Sequence, residues 1–291
     1  MIARPGTALQ LHEGELAPPS AEDPRMHGLS KLDPPQESAP HFYGRALDAL
    51  DAAGVRYLIG GGFALTQYTG IHRPTKDLDI VVLPGASRYA LDTLEAAGNR
   101  TEWPWPHFLA RVLSEGDGFI DILYNSGNGL TEVDEDWFDH AVPAELLERK
   151  VLLVPPEELL WSKCFVQERD RFDGADVAHL VLYCGKTFDW LRLLRRSFGH
   201  DAVLLAHLVL YNYVYPTEPR VPPWVFEELN RRIAEQPAAE HRICRGTNLA
   251  PHQYRHDVEH AGFVDGRRQP HGPLRADEIA RFAPPDAQPI R

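Results

Sequence analysis

Apolar and polar residues follow two different periods along the chain, and the change of period divides it in two. Between residues 41 and 155, stretches with the period of an amphipathic helix alternate with short apolar stretches typical of strands. From residue 156 to residue 235 only the helical period occurs. This order predicts a mixed α/β domain over 41–155, followed by a helical domain over 156–235.

The elements of the first half can be placed by their boundaries. HFYGRALDALDAAG predicts a helix that ends at Gly54, and VRYLIG predicts a short strand after it. A triple glycine then leads into the helix FALTQYTG, the strand KDLDIVVL and the helix SRYALDTLEAAG. The stretches HFLARVLS and GFIDILYN flank the turn EGDG and predict a β-hairpin, and VLLV predicts a further strand.

The second half and the two ends have simpler patterns. Helices are predicted for EELLWSKCFVQER, DGADVAHLVLYC, FDWLRLLRRSF, DAVLLAHLVLYNYVY and PWVFEELNRRIAE. Residues 1–40 and 236–291 are rich in proline and have little periodicity, so we predict that both ends are irregular tails.

Composition narrows the class of protein. Hydrophobic residues make up 43% of the chain, which is enough for a substantial core, and the net charge of −12 argues against bulk attraction to a polyanion. The three cysteines are far apart in the sequence, which disfavours a disulfide framework or a structural zinc site. No stretch has the length and apolarity of a signal or a bilayer span, so we expect a cytoplasmic protein with no membrane association.

Two aspartates in the second predicted strand are the first candidates for chemistry. Asp77 and Asp79 are separated by one residue, and alternate residues of a strand point to the same face. Two carboxylates side by side repel each other unless a positive charge lies between them. Because Mg²⁺ prefers oxygen ligands, the pair predicts a magnesium site.

The glycine triplet precedes this strand. Gly61 and Gly62 lie where the first strand turns into a helix. Glycine allows a ligand to approach the backbone closely, and the free N–H groups at a helix N-terminus favour phosphate. One side of the predicted cleft therefore suits phosphate, and the other suits the cation that accompanies it.

A third carboxylate is available at Asp121, which lies between two isoleucines in the strand GFIDILYN. A carboxylate in such an apolar strand requires a partner. Placed beside Asp77 and Asp79, it would complete a three-carboxylate cluster that suits two-metal nucleotidyl transfer. Asp121 is also the best candidate for a general base.

These residues together resemble a known family. The string Gly61-Gly62-Phe63-Ala64, followed by Arg73-Pro74-Thr75-Lys76-Asp77-Leu78-Asp79 and later by Asp121, is similar to the motif of the nucleotidyltransferase superfamily. That superfamily includes DNA polymerase β, the aminoglycoside nucleotidyltransferases and the toxins of abortive-infection systems. The resemblance implies a nucleotidyltransferase-type mixed sheet with flanking helices, in which residues 41–155 are the catalytic domain.

The resemblance also implies an activity and a binding set. It implies an enzyme that transfers a nucleoside monophosphate from an NTP, expected to be ATP, to a hydroxyl acceptor, with two Mg²⁺ ions held by the three aspartates. Nucleotide-binding roles follow for Gly61, Gly62 and Arg73. The segment LLWSKCFVQERDRFDGADVAHLV resembles the helical segment of toxin-like and minimal members, which implies that Lys163 and Arg171 reach the triphosphate.

Several alternatives stay open on sequence alone. The glycines can form an ordinary turn, Arg73 can pair with a carboxylate, and Lys163 and Arg171 can form ion pairs with the acidic residues around them. The acceptor can be a small molecule, an RNA end or a protein. An alternative to catalysis is an interaction protein on the same fold, such as one half of a toxin–antitoxin or defence pair, whose helical half and tails bind a protein partner.

Three histidines in the C-terminal part have a regular spacing. His252, His256 and His260 recur at every fourth residue, which is the spacing of a metal-binding helix face. The surrounding segment is polar, so we interpret it as a solvated stretch.

Overall fold

The computed structural model describes residues 38–72, 75, 77–114, 118–239 and 241–282. These residues all lie within one compact unit, Pro35–Arg291. The two predicted tails lie partly outside the described residues. Arg73 and Lys76 lie outside them as well.

A seven-stranded mixed sheet forms the centre of the fold. Its strands are β1 (Leu58–Ile59), β2 (Asp77–Val81), β3 (Arg100–Trp105), β4 (Leu109–Leu113), β5 (Phe119–Leu123), β6 (Val142–Leu146) and β7 (Arg149–Leu153). They are arranged in the order β3-β4-β5-β2-β1-β7-β6. The predicted α/β class is confirmed.

Both parallel and antiparallel pairs occur in this sheet. Strand β2 pairs parallel with β5 and antiparallel with β1, while β1 pairs parallel with β7. The predicted hairpin forms β4 and β5, which pair antiparallel. Because β2 and β5 are adjacent and parallel, residues separated by a long stretch of sequence come to lie side by side, and Asp79 is directly opposite Asp121.

Helices flank the sheet and continue beyond it. They are α1 (Ser38–Ala52), α2 (Gly61–Thr69), α3 (Ser87–Ala96), α4 (Glu135–Asp139), α5 (Pro156–Cys164), α6 (Gly174–Cys184), α7 (Trp190–Arg196), α8 (Asp201–Val214), α9 (Pro223–Glu235), α10 (Arg255–Glu259) and α11 (Ala276–Phe282). Helix α3 packs against α1 and against β3, β4 and β5, whereas α2 contacts β2, α5 and α6. Among the described residues, no helix is both long enough and apolar enough for a bilayer span.

One continuous hydrophobic core joins the sheet to the helices that follow it. It extends along the chain from Ala39 to Leu229 and contains residues of β1, β2 and β5 as well as residues of α5, α6 and α8. The change from sheet to helices falls between the end of β7 and the start of α5, at the predicted boundary. Whether this boundary separates two domains stays a prediction.

Helix α5 is shorter than the sequence pattern predicts. The apolar positions suggested a helix that continues through EELLWSKCFVQER, but α5 ends at Cys164. The backbone N–H of Gln167 donates to the carbonyl of Leu249, at 3.4 Å, instead of continuing the helix. The N–H of Asp173 donates to the carbonyl of Val166, at 3.0 Å. The chain therefore forms a loop that carries Arg171.

The C-terminal segment is structured, in contrast to the predicted irregular tail. Residues 241–282 contain α10, α11 and a two-stranded sheet of β8 (Ile243–Cys244) and β9 (Val264–Asp265). A buried Asp265–Arg267 ion pair and tertiary hydrogen bonds hold the segment, and neither produces a local periodicity in the sequence.

Candidate active site

The three predicted carboxylates meet at the centre of the sheet. One ligand oxygen from each of Asp77, Asp79 and Asp121 lies within 4.8 Å of the others. Adjacent parallel strands place Asp79 beside Asp121, and Asp77 precedes Asp79 by two residues on the same face of β2. The sequence-based expectation that these three side chains lie together agrees with this geometry.

The glycine turn is in direct contact with this cluster. The N–H of Gly60 donates to the carbonyl of Asp79 at 2.9 Å, which ties the turn to β2. Gly61 has a φ of +51°, and a Cβ atom there would lie 1.6 Å from Oδ2 of Asp79. Position 61 therefore requires glycine both for its backbone conformation and for the space that the carboxylate occupies.

A cleft opens over the turn and the carboxylates. It has a volume of about 450 Å³, and its wall includes Gly61, Gly62 and the three aspartates on one side and residues of α5 and α6 on the other. The first turn of α2 thus opens into the same space as the acidic cluster. This arrangement can bring a phosphate chain and a cation together.

The electrostatics of the cluster fit a divalent cation. Burial, together with the neighbouring charges of Asp77 and Asp121, raises the pKa of Asp79 to about 7. Burial also raises the pKa of Asp121, although its ion pair with Arg111 opposes the rise. Three carboxylates that repel one another and have oxygens within 4.8 Å of each other offer the type of ligand that Mg²⁺ prefers.

Arg111 is a site residue that the sequence analysis missed. Its Nε and Nη2 donate to Oδ1 and Oδ2 of Asp121, at 2.7 Å and 3.0 Å. The hairpin register, in which Arg111 is opposite Asp121, produces this contact. The turn EGDG does not predict this contact, because pairing symmetric about its four residues would place position 111 opposite position 122, one residue away from the observed register.

Lys163 lines the cleft but is already paired. Its Nζ lies 2.9 Å from Oδ2 of Asp173 and 2.7 Å from Oδ2 of Asp176. Arg171 also lines the cleft, and its side chain is 72% exposed, with Asp173 at 3.6 Å. The ordinary ion pairs considered from the sequence are therefore present, and the predicted contacts of both cations with a triphosphate stay predictions.

Thr75 supports the first aspartate. Its hydroxyl donates to Oδ1 of Asp77 and is also 3.1 Å from the carbonyl oxygen of Asp77, while Gly62 lies directly beside it. The motif had included Thr75 without assigning it a role. Arg73, the predicted phosphate ligand from the same motif, lies outside the described residues.

A second cavity adjoins the cleft. Its volume is about 260 Å³, and it shares Phe108, Ser126 and Arg171 with the wall of the cleft. The C-terminal segment closes it through the stretch from residue 247 to residue 251. Asn248 belongs to this wall, and its buried amide has no hydrogen-bond partner among the described residues.

The three histidines do not form a second metal centre in the described part of the chain. His252, His256 and His260 are all exposed, and the rings of His256 and His260 are 5.2 Å apart. The group of Asp77, Asp79 and Asp121 is the metal-binding geometry found among the described residues. The interpretation of the histidine segment as a solvated stretch agrees with this.

Comparison with known proteins finds solved structures that are similar to part of the chain. The chain is similar to the lincosamide antibiotic adenylyltransferase LnuA in its lincomycin-bound form, with 22% identity over 51% of this chain and 98% of that chain and a TM-score of 0.37. It is similar to the antibiotic-resistance factor ANT(2'')-Ia, with 22% identity over 59% of this chain and 97% of that chain and a TM-score of 0.41. No family model and no curated protein matches.

A third similar structure is the terminal uridylyl transferase 4 of Trypanosoma brucei with bound GTP, with 20% identity over 50% of this chain and 47% of that chain and a TM-score of 0.25. Of these structures, LnuA is an adenylyltransferase and the Trypanosoma brucei protein is a uridylyl transferase.

Proposed function

We propose that the protein is a metal-dependent nucleotidyltransferase that transfers a nucleoside monophosphate from an NTP to a hydroxyl acceptor. The observation that supports this is the convergence of Asp77, Asp79 and Asp121 beside the glycine turn, inside one cleft of about 450 Å³. Neither the glycine turn nor the acidic cluster alone would support this activity, because both features are common in proteins. Together they offer a phosphate-binding backbone and cation-binding oxygens to the same ligand.

The residues of the chain suggest how the donor would be held. The phosphates would lie over Gly61 and Gly62, where no side chain intervenes between the ligand and the first turn of α2. Arg171 extends into the same cleft and is free enough to move towards an anion, whereas Lys163 would have to leave two carboxylates to do so. We therefore assign the stronger phosphate contact to Arg171.

The cation would be held by the acidic cluster. When bound there, a divalent ion would neutralise charge on the carboxylates and the phosphates and favour ionisation of the attacking hydroxyl. Thr75 keeps Asp77 in place, and the pairing of β2 with β5 keeps Asp79 beside Asp121. The ligand oxygens are thus positioned before any ligand arrives.

The proposed transfer forms one bond to the α-phosphorus and breaks another. The oxygen of the acceptor hydroxyl would form a bond to the α-phosphorus, and the bond from that phosphorus to the bridging β-phosphate oxygen would break. Pyrophosphate would leave with the bonding electron pair. The hydroxyl proton would pass to a base, for which Asp121 is the candidate in the cleft.

The adjoining cavity would receive the acceptor. It lies on the β4–β5 side of the cleft, because Phe108 immediately precedes β4 and Ser126 follows β5, while the glycine turn lies on the β1 side of β2. A volume of about 260 Å³ is slightly below the usual range of ligand pockets, so the cavity would receive one part of the acceptor, such as one ring of a small molecule or the terminal nucleoside of an RNA. The amide of Asn248, which has no hydrogen-bond partner in the described part of the chain, marks a polar position in its wall.

Labelled nucleotides provide the test. The protein is incubated with α-labelled NTPs, Mg²⁺ and a panel of hydroxyl acceptors that includes aminoglycosides, lincosamides and RNA ends. Asp77→Asn should abolish transfer, whereas Asp92→Asn, which removes an exposed carboxylate of α3 paired with Arg88, should leave transfer unchanged. Failure of the wild type to bind any Mg²⁺–NTP in calorimetry, or full activity of Asp77→Asn, would contradict the proposal.

A further inference from the structure

One side of the acidic cluster already carries a positive charge. The guanidinium group of Arg111 engages both oxygens of Asp121, at 2.7 Å and 3.0 Å, in a bidentate ion pair. The side chain of Asp121 is only 9% exposed, and that of Arg111 is 24% exposed. A planar two-point contact of this kind fixes the orientation of the carboxylate.

The position of Arg111 is determined by two neighbours. The β4–β5 register places it opposite Asp121, and its guanidinium carbon lies 4.1 Å from the centroid of the Phe119 ring. A cation over an aromatic face is stabilised in addition to its ion pair. Arg111 is thus held by a strand, a carboxylate and a ring, and it is not a loosely placed surface arginine.

The carboxylates of Asp77 and Asp79 have different neighbours from that of Asp121. Asp77 accepts a hydrogen bond from the neutral hydroxyl of Thr75. In the part of the chain that the structure describes, the ion pairs of basic side chains include Asp121 but not Asp77 or Asp79. Among the described residues, Asp77 and Asp79 are therefore the two carboxylates of the cluster that have no direct ion pair with a guanidinium or ammonium group.

We propose that Arg111 takes the place of one cation at Asp121, so that the three carboxylates hold a single divalent ion, on Asp77 and Asp79, instead of two. Three carboxylates, one guanidinium and one divalent ion have no net charge, so the cluster without nucleotide is neutralised by one ion. Arg111 is a positioning residue here, because it acts through Asp121. The inference rests on the proposed function only for the assignment of the aspartates as cation ligands.

The test counts ions and does not depend on turnover. Wild-type protein is loaded with Mn²⁺, first alone and then with a non-hydrolysable ATP analogue, and examined by calorimetry and electron paramagnetic resonance. We expect one Mn²⁺ per chain with the spectrum of an isolated ion. Arg111→Met should bind two, with the spectrum of a coupled pair, since two-metal sites hold their ions about 4 Å apart.

Two further variants complete the design. Arg111→Gln keeps hydrogen-bond donors but removes the charge, and it should also bind two ions, with melting curves as the check on folding. Arg149→Met removes a bidentate arginine from an exposed pair with Asp48 and should bind one ion, as the wild type does.

The outcomes separate the two proposals. A coupled Mn²⁺ pair in the wild type, or a single ion in every Arg111 variant, overturns the inference and leaves the proposed function standing. Absence of any Mn²⁺ binding in the wild type overturns the proposed function itself.

Discussion

Position 61 is the residue at which the backbone and the acidic cluster constrain each other most strongly. A Cβ atom there would lie 1.6 Å from Oδ2 of Asp79, so Gly61→Ala has to displace that carboxylate. We expect Mn²⁺ affinity to fall by at least about tenfold, in the range found when groups that orient metal ligands are removed. Titration calorimetry measures this directly.

Gly70→Ala is the matched control for that prediction. Gly70 also has a positive φ, of +69°, but nothing lies within 4 Å of the Cβ position. The Gly70→Ala variant should lose about 1–2 kcal/mol of stability from backbone strain alone and should keep the Mn²⁺ affinity of the wild type. Equal loss of affinity in both variants would show that strain, and not the collision with Asp79, is responsible.

The raised pKa of Asp79 predicts a pH dependence of stability. Its pKa is about 7 in the folded protein, against an ordinary value of 3.8, so the folded state holds the proton over a range in which the unfolded state has lost it. This contribution to stability is present below pH 4 and is lost as the pH rises through 7.

Asp79→Asn should remove that dependence. Relative to the wild type, the variant should gain stability at pH 8 and show no difference at pH 4, as measured by urea unfolding at a series of pH values without divalent ions. Mn²⁺ at pH 8 should stabilise the wild type more than the variant, because the ion requires the ionised carboxylate. A constant difference between the two proteins across all pH values would contradict the prediction.

At the scale of elements, a buried charge network joins α5 to α7. Arg192 and Glu157 have side chains only 4% exposed, and Nη2 of Arg192 is 2.5 Å from Oε2 of Glu157. Glu158, which is fully buried, lies 3.6 Å from Nη1 of Arg192. The network orients α5, the helix that carries Lys163 into the cleft.

Removing the guanidinium group of Arg192 from this network should lower the free energy of unfolding. Arg192→Met would leave two carboxylates buried with less compensation, and we expect a loss of about 3–5 kcal/mol in the free energy of unfolding, measured with urea. Arg195→Met, one turn away on the exposed face of α7, is the control and should be close to neutral. A neutral Arg192→Met would mean that packing alone positions α5.

Elements differ in how far the sequence determines them. The pair Asp77 and Asp79 could be predicted, because strand periodicity alone places both on one face. The end of α5 could not, because the N–H of Gln167 bonds to a carbonyl of the distant C-terminal segment. Strand β3 has no counterpart among the predicted strands, because its stretch contains Pro104; it lies at the edge of the sheet, where a proline is tolerated.

At the scale of the whole molecule, the C-terminal segment is attached to the sheet through the loop after β5. The amide of Asn128 donates to the carbonyl of Asn248 at 2.9 Å, and Gly129 packs against Leu274 and Pro273. The wall of the second cavity therefore depends on contacts between parts of the chain that are far apart in sequence. No local pattern could have predicted this wall.

Gly129→Ala should loosen the attachment. Gly129 has a φ of +76°, and a Cβ atom there would lie 2.7 Å from side-chain atoms of Leu274 and Pro273. We expect faster amide hydrogen exchange over residues 247–250, with protection of the central strands unchanged.

Gly98→Ala is the control for the exchange experiment. Gly98 has a similar φ, of +87°, but nothing lies within 4 Å of its Cβ position. The Gly98→Ala variant should therefore leave the amide exchange of residues 247–250 unaffected. Uniformly faster exchange throughout the Gly129→Ala protein would indicate global destabilisation and contradict a local attachment.

The order of strands has a consequence for biosynthesis. Strand β1, which leads into the glycine turn, lies between β2 and β7, and Ile59 pairs with Leu153. A nascent chain on the ribosome therefore contains all three aspartates before it contains the strand that completes the sheet around β1. We therefore expect the nascent chain to bind a divalent cation only after β7 has emerged from the ribosome. Cation binding by stalled nascent chains of increasing length would show when the acidic cluster forms.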